Sequence, residues 1–143
     1  CKFVNMKLFH MYGPNDSSHK FIPQMINAIN NNIESIKLTQ GDQERDFIYI
    51  EDVIRAYSLV LKNIDKLSGF TEFQVGTGEV VSIRDLLSLI KHITNSNTKL
   101  LFGALPYRNG EIMSSKANTN ELLRIGWKAI VSLEDGLSKI LKD

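Results

Sequence analysis

The stretch that decides the fold is residues 41–53, GDQERDFIYIEDV. A turn at Gly41 leads into a short apolar strand, and the strand runs directly into a helix with apolar residues at helical spacing. Arg45 lies at the corner between turn and strand, where a guanidinium can make fork-shaped contacts with phosphate oxygens. The stretch predicts an α/β unit that binds a phosphate-bearing ligand. The alternative for the arginine is an ion pair with an acidic neighbour, Glu44, Asp46 or Asp52.

Composition places the chain among folded proteins and excludes several function classes. The 143 residues are 43% hydrophobic and 23% charged, which suits one globular domain. The 17 Lys and Arg residues nearly balance the 16 Asp and Glu residues, which argues against a nucleic-acid binder. No apolar run approaches the roughly 18 residues of a membrane helix, so no membrane partner is expected. The one cysteine, Cys1, allows no internal disulfide and fits a cytoplasmic location.

Strand and helix patterns alternate along the rest of the chain. Phe3 to Phe9 is an apolar strand that ends in a turn cluster at residues 12–16, and Pro23 suits the first turn of a following helix. Short loops connect the elements and no linker separates them, which predicts one α/β unit over residues 1–143. Further strands are expected at residues 36–38, 72–75 and 99–102, and further helices after the caps Ser82, Asn118 and Ser132.

Searches for complete catalytic motifs find none in this sequence. Gly76 and Gly78 lack the third glycine of a dinucleotide fingerprint and indicate a turn. None of the four tyrosines has a lysine four residues later, so the pair that lets a phenolate act as a base is absent. The three histidines have no metal-ligand spacing to one another or to Cys1. We therefore predict no catalytic or metal-binding residue within the chain.

Two further motifs can contribute to a phosphate site. His10 lies at a strand tip before a tight turn, and ligands lie at the strand tips of open α/β sheets, although a structural histidine is the alternative. In residues 106–111, PYRNGE, Arg108 can supply a second phosphate contact, and Glu111 can accept hydrogen bonds from sugar hydroxyls. An ordinary surface turn is the alternative for this second motif.

Taken in order, the motifs at residues 8–14, 41–53, 75–78, 108–111, 125–127 and 133–137 resemble the C-terminal part of an extended short-chain dehydrogenase/reductase. This is the NAD-dependent epimerase/dehydratase family of nucleotide-sugar enzymes, and the resemblance covers essentially the whole chain. It implies an α/β substrate-binding domain in which residues 1–14 are a late Rossmann strand and loop, with the Rossmann core missing. The catalytic tyrosine and lysine are expected upstream of Cys1, so the chain alone is expected to be inactive.

The resemblance also implies roles for individual residues. Phe9 becomes a neighbour of the cofactor, NAD or NADP, and His10 stands where many members carry an asparagine that hydrogen-bonds the sugar diphosphate. The remaining implied contacts are Lys20, Phe21 and Ile22 around the nucleotide, Lys37, Leu38 and Thr39 beside the base, Arg45 and Arg108 on the diphosphate, and Glu111 on a ribose hydroxyl.

The motif at residues 9–14, the Asp16 turn and residues 37–39 most resemble reductases of CDP-4-keto-3,6-dideoxyhexoses, of the abequose/paratose synthase type, which serve lipopolysaccharide O-antigen synthesis. The alternatives are a 4-epimerase or 4,6-dehydratase of dTDP- or UDP-sugars, a nucleotide-binding module without catalysis, and a fragment that serves only packing. The parent enzyme is expected to be a cytoplasmic homodimer whose partners are the nucleotide-sugar and NAD or NADP.

Overall fold

The computed structural model describes residues 2–142, so Cys1 and the prediction about what precedes it lie outside the described residues. The described chain alternates short strands with helices, as the sequence predicts. The strands are β1 (Phe3–Leu8), β2 (His10–Tyr12), β3 (Ser35–Lys37), β4 (Glu44–Arg45), β5 (Phe47–Tyr49), β6 (Phe70–Val75), β7 (Val81–Ser82), β8 (Lys99–Leu101) and β9 (Ser114–Ser115). The α-helices are α1 (Phe21–Asn30), α2 (Ile50–Lys62), α3 (Ile83–Thr94), α4 (Asn120–Arg124) and α5 (Leu133–Lys142).

The N-terminal strand changes its pairing partner at Phe9. β1 runs parallel to β6 as far as the pair Leu8–Val75, and β2 then runs parallel to β5 from the pair His10–Phe47. The amide of Phe9 still donates to Val75 (3.0 Å), whereas the amide of His10 donates to the carbonyl of Asp46 (3.1 Å). β5 and β6 therefore diverge at this residue, and a crevice opens where they separate, as at a switch point of an open α/β sheet.

The other strands hold the Arg45 corner and the C-terminal segments together. β3 pairs in parallel with β8, and β4 lies between β7, which is antiparallel to it, and β9, which is parallel. These short pairings bring Arg45 beside residues 112–115, which are far away in the sequence. Phosphate-binding candidates from the two halves of the chain thus share one region of the fold.

Two hydrophobic clusters support these strands. One packs α1, α3 and α5 around Ile29, Leu86 and Leu137, and the other packs α2 and α4 around Phe73 and Trp127. Complete burial of one large aliphatic or aromatic side chain stabilises the folded state by about 1.5–3 kcal/mol. Most of the stability of the short strands therefore comes from these clusters and not from strand pairing alone.

The predicted helix caps at Ser82 and Ser132 are present. The Ser82 hydroxyl accepts from the amide of Asp85 (3.0 Å) and donates to its carboxylate (2.7 Å). Ser132 makes the same pair of contacts with Asp135. Each serine satisfies one of the unpaired amides at the start of its helix, which explains why these helices begin where the sequence predicts.

Asp46 anchors the turn that contains Gly76. Its fully buried carboxylate accepts hydrogen bonds from the amide and hydroxyl of Thr77, from the amide of Gly78 and from the amide of Ala117 (2.7–3.1 Å). A Cβ at residue 76 would approach Asp46 Oδ2 to 2.6 Å, so this close packing needs a glycine. The glycines predicted to form a turn do form one, and a buried carboxylate fixes it.

No helix within residues 2–142 is long and apolar enough to cross a membrane.

Candidate functional site

A cavity of about 780 Å³ opens where β5 and β6 diverge. Its wall is formed by the end of β1, by β2, the start of α1, the segment after β3, the Arg45 corner and residues 106–111. Ten of the eleven binding residues named from the sequence line it: Phe9, His10, Lys20, Phe21, Ile22, Leu38, Thr39, Arg45, Arg108 and Glu111.

Lys37 is the named residue that the cavity does not include. It lies on β3 opposite Leu101, with an exposed side chain, whereas the next residue, Leu38, is buried and lines the cavity. Successive side chains of an extended segment point to opposite sides, so Lys37 and Leu38 cannot face the same ligand.

Arg45 is held by a carboxylate that the sequence assigns to the ligand site. Its Nη2 donates to Glu111 Oε1 (2.7 Å), and its Nη1 donates to the carbonyls of Glu44 (2.8 Å) and Ile112 (2.6 Å). The alternative of an ion pair with the carboxylate of Glu44, Asp46 or Asp52 is therefore wrong. Asp46 is occupied by the 76–78 turn, and Asp52 bonds Arg55 and the amides of Ile130 and Val131.

The guanidinium of Arg45 still has donors to spare. A guanidinium carries five N–H groups, and three of them are used by Glu111, Glu44 and Ile112. The Nε–H group and one Nη2–H group have no acceptor within residues 2–142. An anchored arginine with two remaining donors can receive an anion without first moving into place.

Arg108 and Lys20 add positive charge to the same wall. Arg108 is exposed and makes no side-chain hydrogen bond or ion pair within the described chain. Lys20 forms an ion pair with Asp16 (2.9 Å) and remains about half exposed. The unpaired guanidinium of Arg108 is therefore the cation most available to an incoming anion.

Glu111 links the two arginines. Its Oε1 accepts from Arg45, and its backbone amide donates to the carbonyl of Arg108 (3.1 Å). Its other carboxylate oxygen has no donor within residues 2–142 and can accept from a hydroxyl group. The carboxylate thus both orients Arg45 and keeps one acceptor for a ligand.

The imidazole of His10 lies at the cavity wall with its ring edge against Phe47, at 5.8 Å between ring centres. Burial lowers the pKa of His10 below its usual 6.5, and the nearby positive charge of Arg45 lowers it further. The imidazole is therefore neutral at neutral pH. It can then donate one hydrogen bond and accept another.

Gln43 and Asp16 line the cavity but were not named from the sequence. Gln43 Nε2 donates to Thr39 Oγ1 (3.2 Å), so the two polar side chains form a unit beside apolar Leu38. Gln43 precedes Arg45 by two residues next to a strand, and the two-residue alternation of strands could have identified it. The Asp16 turn contributed to the resemblance to nucleotide-sugar reductases but gave no role to Asp16 itself, whose ion pair with Lys20 the structure shows at the cavity wall.

The cavity therefore combines three kinds of surface. Leu38, Ile83 and Pro106 give apolar walls that fit a flat base, with Thr39 and Gln43 at hand for its polar edge. The arginines give a positively charged wall, and the neutral imidazole of His10 adds a polar group to it. A ligand with a planar base and a diphosphate matches this arrangement, because each part meets the complementary surface.

The chain was compared with protein families and with curated proteins. A model of the NAD dependent epimerase/dehydratase family matches residues 1–76, and the chain belongs to that family. Among curated proteins, it is 42% identical over 142 residues to a CDP-abequose synthase of Salmonella typhimurium, covering 98% of this chain and 48% of the relative. It is 28% identical over 147 residues to dTDP-4-dehydro-6-deoxyglucose reductase of Escherichia coli, covering 99% of this chain and 44% of the relative.

Solved structures share the fold. UDP-glucose 4-epimerase of Thermotoga maritima matches with a TM-score of 0.82 at 24% identity, covering 97% of this chain and 45% of that one. UDP-glucuronic acid 4-epimerase of Bacillus cereus, in complex with UDP-glucuronic acid and NAD, matches with a TM-score of 0.83 at 26% identity, covering 97% and 45%. The chain spans about half the length of the curated relatives that it matches.

Proposed function

We propose that this chain is the nucleotide-sugar-binding part of an NAD(P)-dependent nucleotide-sugar oxidoreductase, epimerase or dehydratase. The observation that carries the proposal is that Arg45 and Arg108 line the same cavity as the apolar side chains of Leu38, Ile83 and Pro106. Within residues 2–142, Arg45 is held in place with two donors unused and Arg108 has no partner, so a diphosphate gains charge-assisted hydrogen bonds without breaking protein contacts.

The roles of the lining residues follow from this placement. Arg45, Arg108 and His10 hold the diphosphate, and the free oxygen of Glu111 accepts from a ribose hydroxyl. Lys37 is left out because its side chain lies outside the cavity. The remaining named residues surround the nucleotide, with Leu38 and Thr39 at the base and Lys20, Phe21 and Ile22 over the nucleoside.

We propose that the substrate is a CDP-4-keto-3,6-dideoxyhexose, reduced at its ketone for the synthesis of an O-antigen sugar. Two CDP-abequose synthases at 42% identity over nearly the whole chain support this assignment. A dTDP- or UDP-sugar 4-epimerase or 4,6-dehydratase is the second candidate. It is favoured by the structural match to enzymes that act on UDP-sugars.

NAD(P) supplies hydride transfer in such an enzyme. Of the described residues, Leu8 and Phe9 fit a cofactor contact, since they lie at the strand end that opens the cavity and offer it apolar surface. The sequence contains neither a glycine fingerprint nor a tyrosine followed four residues later by lysine. We propose that a segment outside these 143 residues supplies those groups, that this chain binds and orients the sugar, and that alone it is inactive.

Exposed apolar surface supports the proposal that the chain is part of a larger protein. Ile54, Tyr57 and Leu61 form one stripe along α2, and Phe3 and Phe70 stack on each other at the start of β1 and β6 with more than half of each side chain exposed. Such surface is costly in water. We propose that the rest of the Rossmann sheet, of which residues 1–14 are a late strand and loop, covers it in a cytoplasmic homodimer.

Isothermal titration of this chain with CDP-glucose, UDP-glucose and dTDP-glucose tests the proposal. We expect measurable binding to at least one of them. Arg108→Ala should weaken it about three- to tenfold, because one charged contact is lost. Lys37→Ala is the matched control and should leave the affinity unchanged. Absence of heat with all three nucleotide-sugars, at concentrations up to the millimolar range, would contradict the proposed site.

A further inference from the structure

We propose that His10 takes up a proton when a diphosphate diester binds in the cavity, so that an imidazolium completes the positive charge around the ligand. This inference rests on the proposed function. It adds to that proposal a protonation step and a pH dependence of binding.

The charges of the cavity wall favour such an uptake. Arg45, Arg108 and Lys20 bring three positive charges, and Asp16 and Glu111 bring two negative ones. Tyr12 also lines the cavity, but burial and the neighbouring Tyr49 raise its pKa, so it remains neutral. With His10 neutral the wall has one net positive charge, whereas a diphosphate diester carries two negative charges. One further proton brings the net charge of the wall and the ligand together to zero.

His10 is the group placed to receive that proton. Its backbone amide is fixed to the carbonyl of Asp46 and its ring edge lies against Phe47, so the imidazole is positioned by β2 and β5. A backbone hydrogen bond of Asp46 also acts on the ring and occupies at most one of its two nitrogens. The other nitrogen can face a ligand in the cavity, and an imidazolium can donate from it to a phosphate oxygen.

The groups that face His10 explain why the proton arrives only with the ligand. Arg45 on β4 repels a proton, and burial disfavours the charged ring, so the pKa of His10 is lowered in the free protein. The charge of Asp46 and a hydrogen bond of its backbone both favour the charged ring, but burial and Arg45 outweigh them, and the Asp46 carboxylate is already occupied by four donors. A bound dianion neutralises Arg45 and adds negative charge beside the ring, which reverses the repulsion.

Calorimetry in buffers of different ionisation enthalpy measures the uptake directly. The probe is UDP-glucose, because its diphosphate is diesterified and has no group that titrates near neutral pH, unlike the terminal phosphate of a free nucleotide. We expect the observed enthalpy to depend on the buffer, with an uptake that approaches one proton per site. Affinity should strengthen about three- to tenfold from pH 7 to pH 6, because the bound state holds the extra proton.

Two variants identify the group. His10→Asn keeps a hydrogen-bonding side chain but cannot be charged, so it should bind with no buffer dependence and a flat pH profile. His92→Asn, at an exposed histidine on α3 outside the cavity, is the matched control and should behave as the unaltered chain. An NMR titration of the His10 ring gives a second readout, and saturating UDP-glucose should move its midpoint upward.

Three outcomes would overturn the proposal. Binding with no proton uptake would refute the role of His10 and leave the nucleotide-sugar site intact. Uptake that persists in His10→Asn would assign the proton to another group. Absence of UDP-glucose binding at either pH, with CDP-glucose and dTDP-glucose also silent, would refute the site and this inference with it.

Discussion

Arg45 and Asp46 are neighbours in the sequence, but they serve opposite sides of the molecule. Asp46 is fully buried, and the hydrogen bonds of its carboxylate within the described residues are with the 76–78 turn and Ala117. Arg45 faces the cavity and contacts the segment that carries Glu111 and Ile112. Extended backbone sends consecutive side chains in opposite directions, so one short motif supplies both a structural anchor and a ligand contact.

The difference lies in how completely each group is satisfied. Four donors surround the carboxylate of Asp46, which leaves it little capacity for a ligand. In the part of the chain that the structure describes, Arg45 keeps two unused donors, and Arg108 keeps all of its side-chain donors. Buried polar groups are normally satisfied by the protein, so the two remaining donors of the largely buried Arg45 are available to an anionic ligand.

The largest effect should come from removing the anchor. Asp46→Ala leaves three backbone amides and one hydroxyl without their acceptor, and should lower the free energy of unfolding by about 3–5 kcal/mol. Urea denaturation followed by circular dichroism measures this loss. Asp42→Ala, at an exposed carboxylate of the same stretch, should stay within about 0.5 kcal/mol. Equal losses of unfolding free energy in the two variants would show that Asp46 is not a structural anchor of the motif.

The turn fixed by Asp46 should be nearly as sensitive. A Cβ on Gly76 would come within 2.5 Å of Ala117 Cβ and 2.6 Å of Asp46 Oδ2, so Gly76→Ala should cost about 2–3 kcal/mol. Gly69 has a left-handed φ of +61° but open space around it, so Gly69→Ala should cost only about 1 kcal/mol. Urea denaturation ranks the two variants, and the reverse order would show that steric contact is not what requires Gly76.

Much of the fold could be predicted because local signals determine it. The serine caps at Ser82 and Ser132 and the apolar stripes of α2 and α3 marked helices that the structure contains. The change of strand partner at Phe9 could not be read from the sequence, because it depends on β5 and β6, which are distant in the chain. The cavity exists because of that change.

The sequence indicated which residues line the candidate site, but it did not indicate which side chains form ion pairs with one another there. The motif order indicated Arg45, Arg108 and Glu111, and the cavity brings them together. The alternative for Arg45 was an ion pair with a local acidic residue, whereas its partner in the structure, Glu111, lies 66 residues away. Nearness in sequence was a poor guide, since Asp46 and Asp52 are drawn into the interior by backbone amides.

Replacing the guanidinium of Arg45 tests whether this residue contacts the ligand, in contrast to the structural role of Asp46. Arg45→Lys keeps the charge but loses the planar donor pair, and should weaken UDP-glucose binding about tenfold, equivalent to about 1.4 kcal/mol. Its unfolding free energy should change less than that of Asp46→Ala. Titration calorimetry with a matched urea curve separates the two effects. Unchanged affinity in a folded variant would remove Arg45 from the proposed site.

The smallest expected effect is the electrostatic influence of Arg45 on the pKa of His10, its neighbour in the cavity wall. Because burial and Arg45 lower the pKa of His10, the unfolded chain binds the proton more tightly, and the His10 contribution to stability increases as pH rises towards 6.5. Arg45→Ala should therefore raise the midpoint of the His10 ring titration, followed by NMR without ligand. Arg124→Ala removes a cation on α4, outside the cavity wall, and should leave that midpoint in place. If both variants shift the midpoint equally, Arg45 does not act on His10 through their proximity.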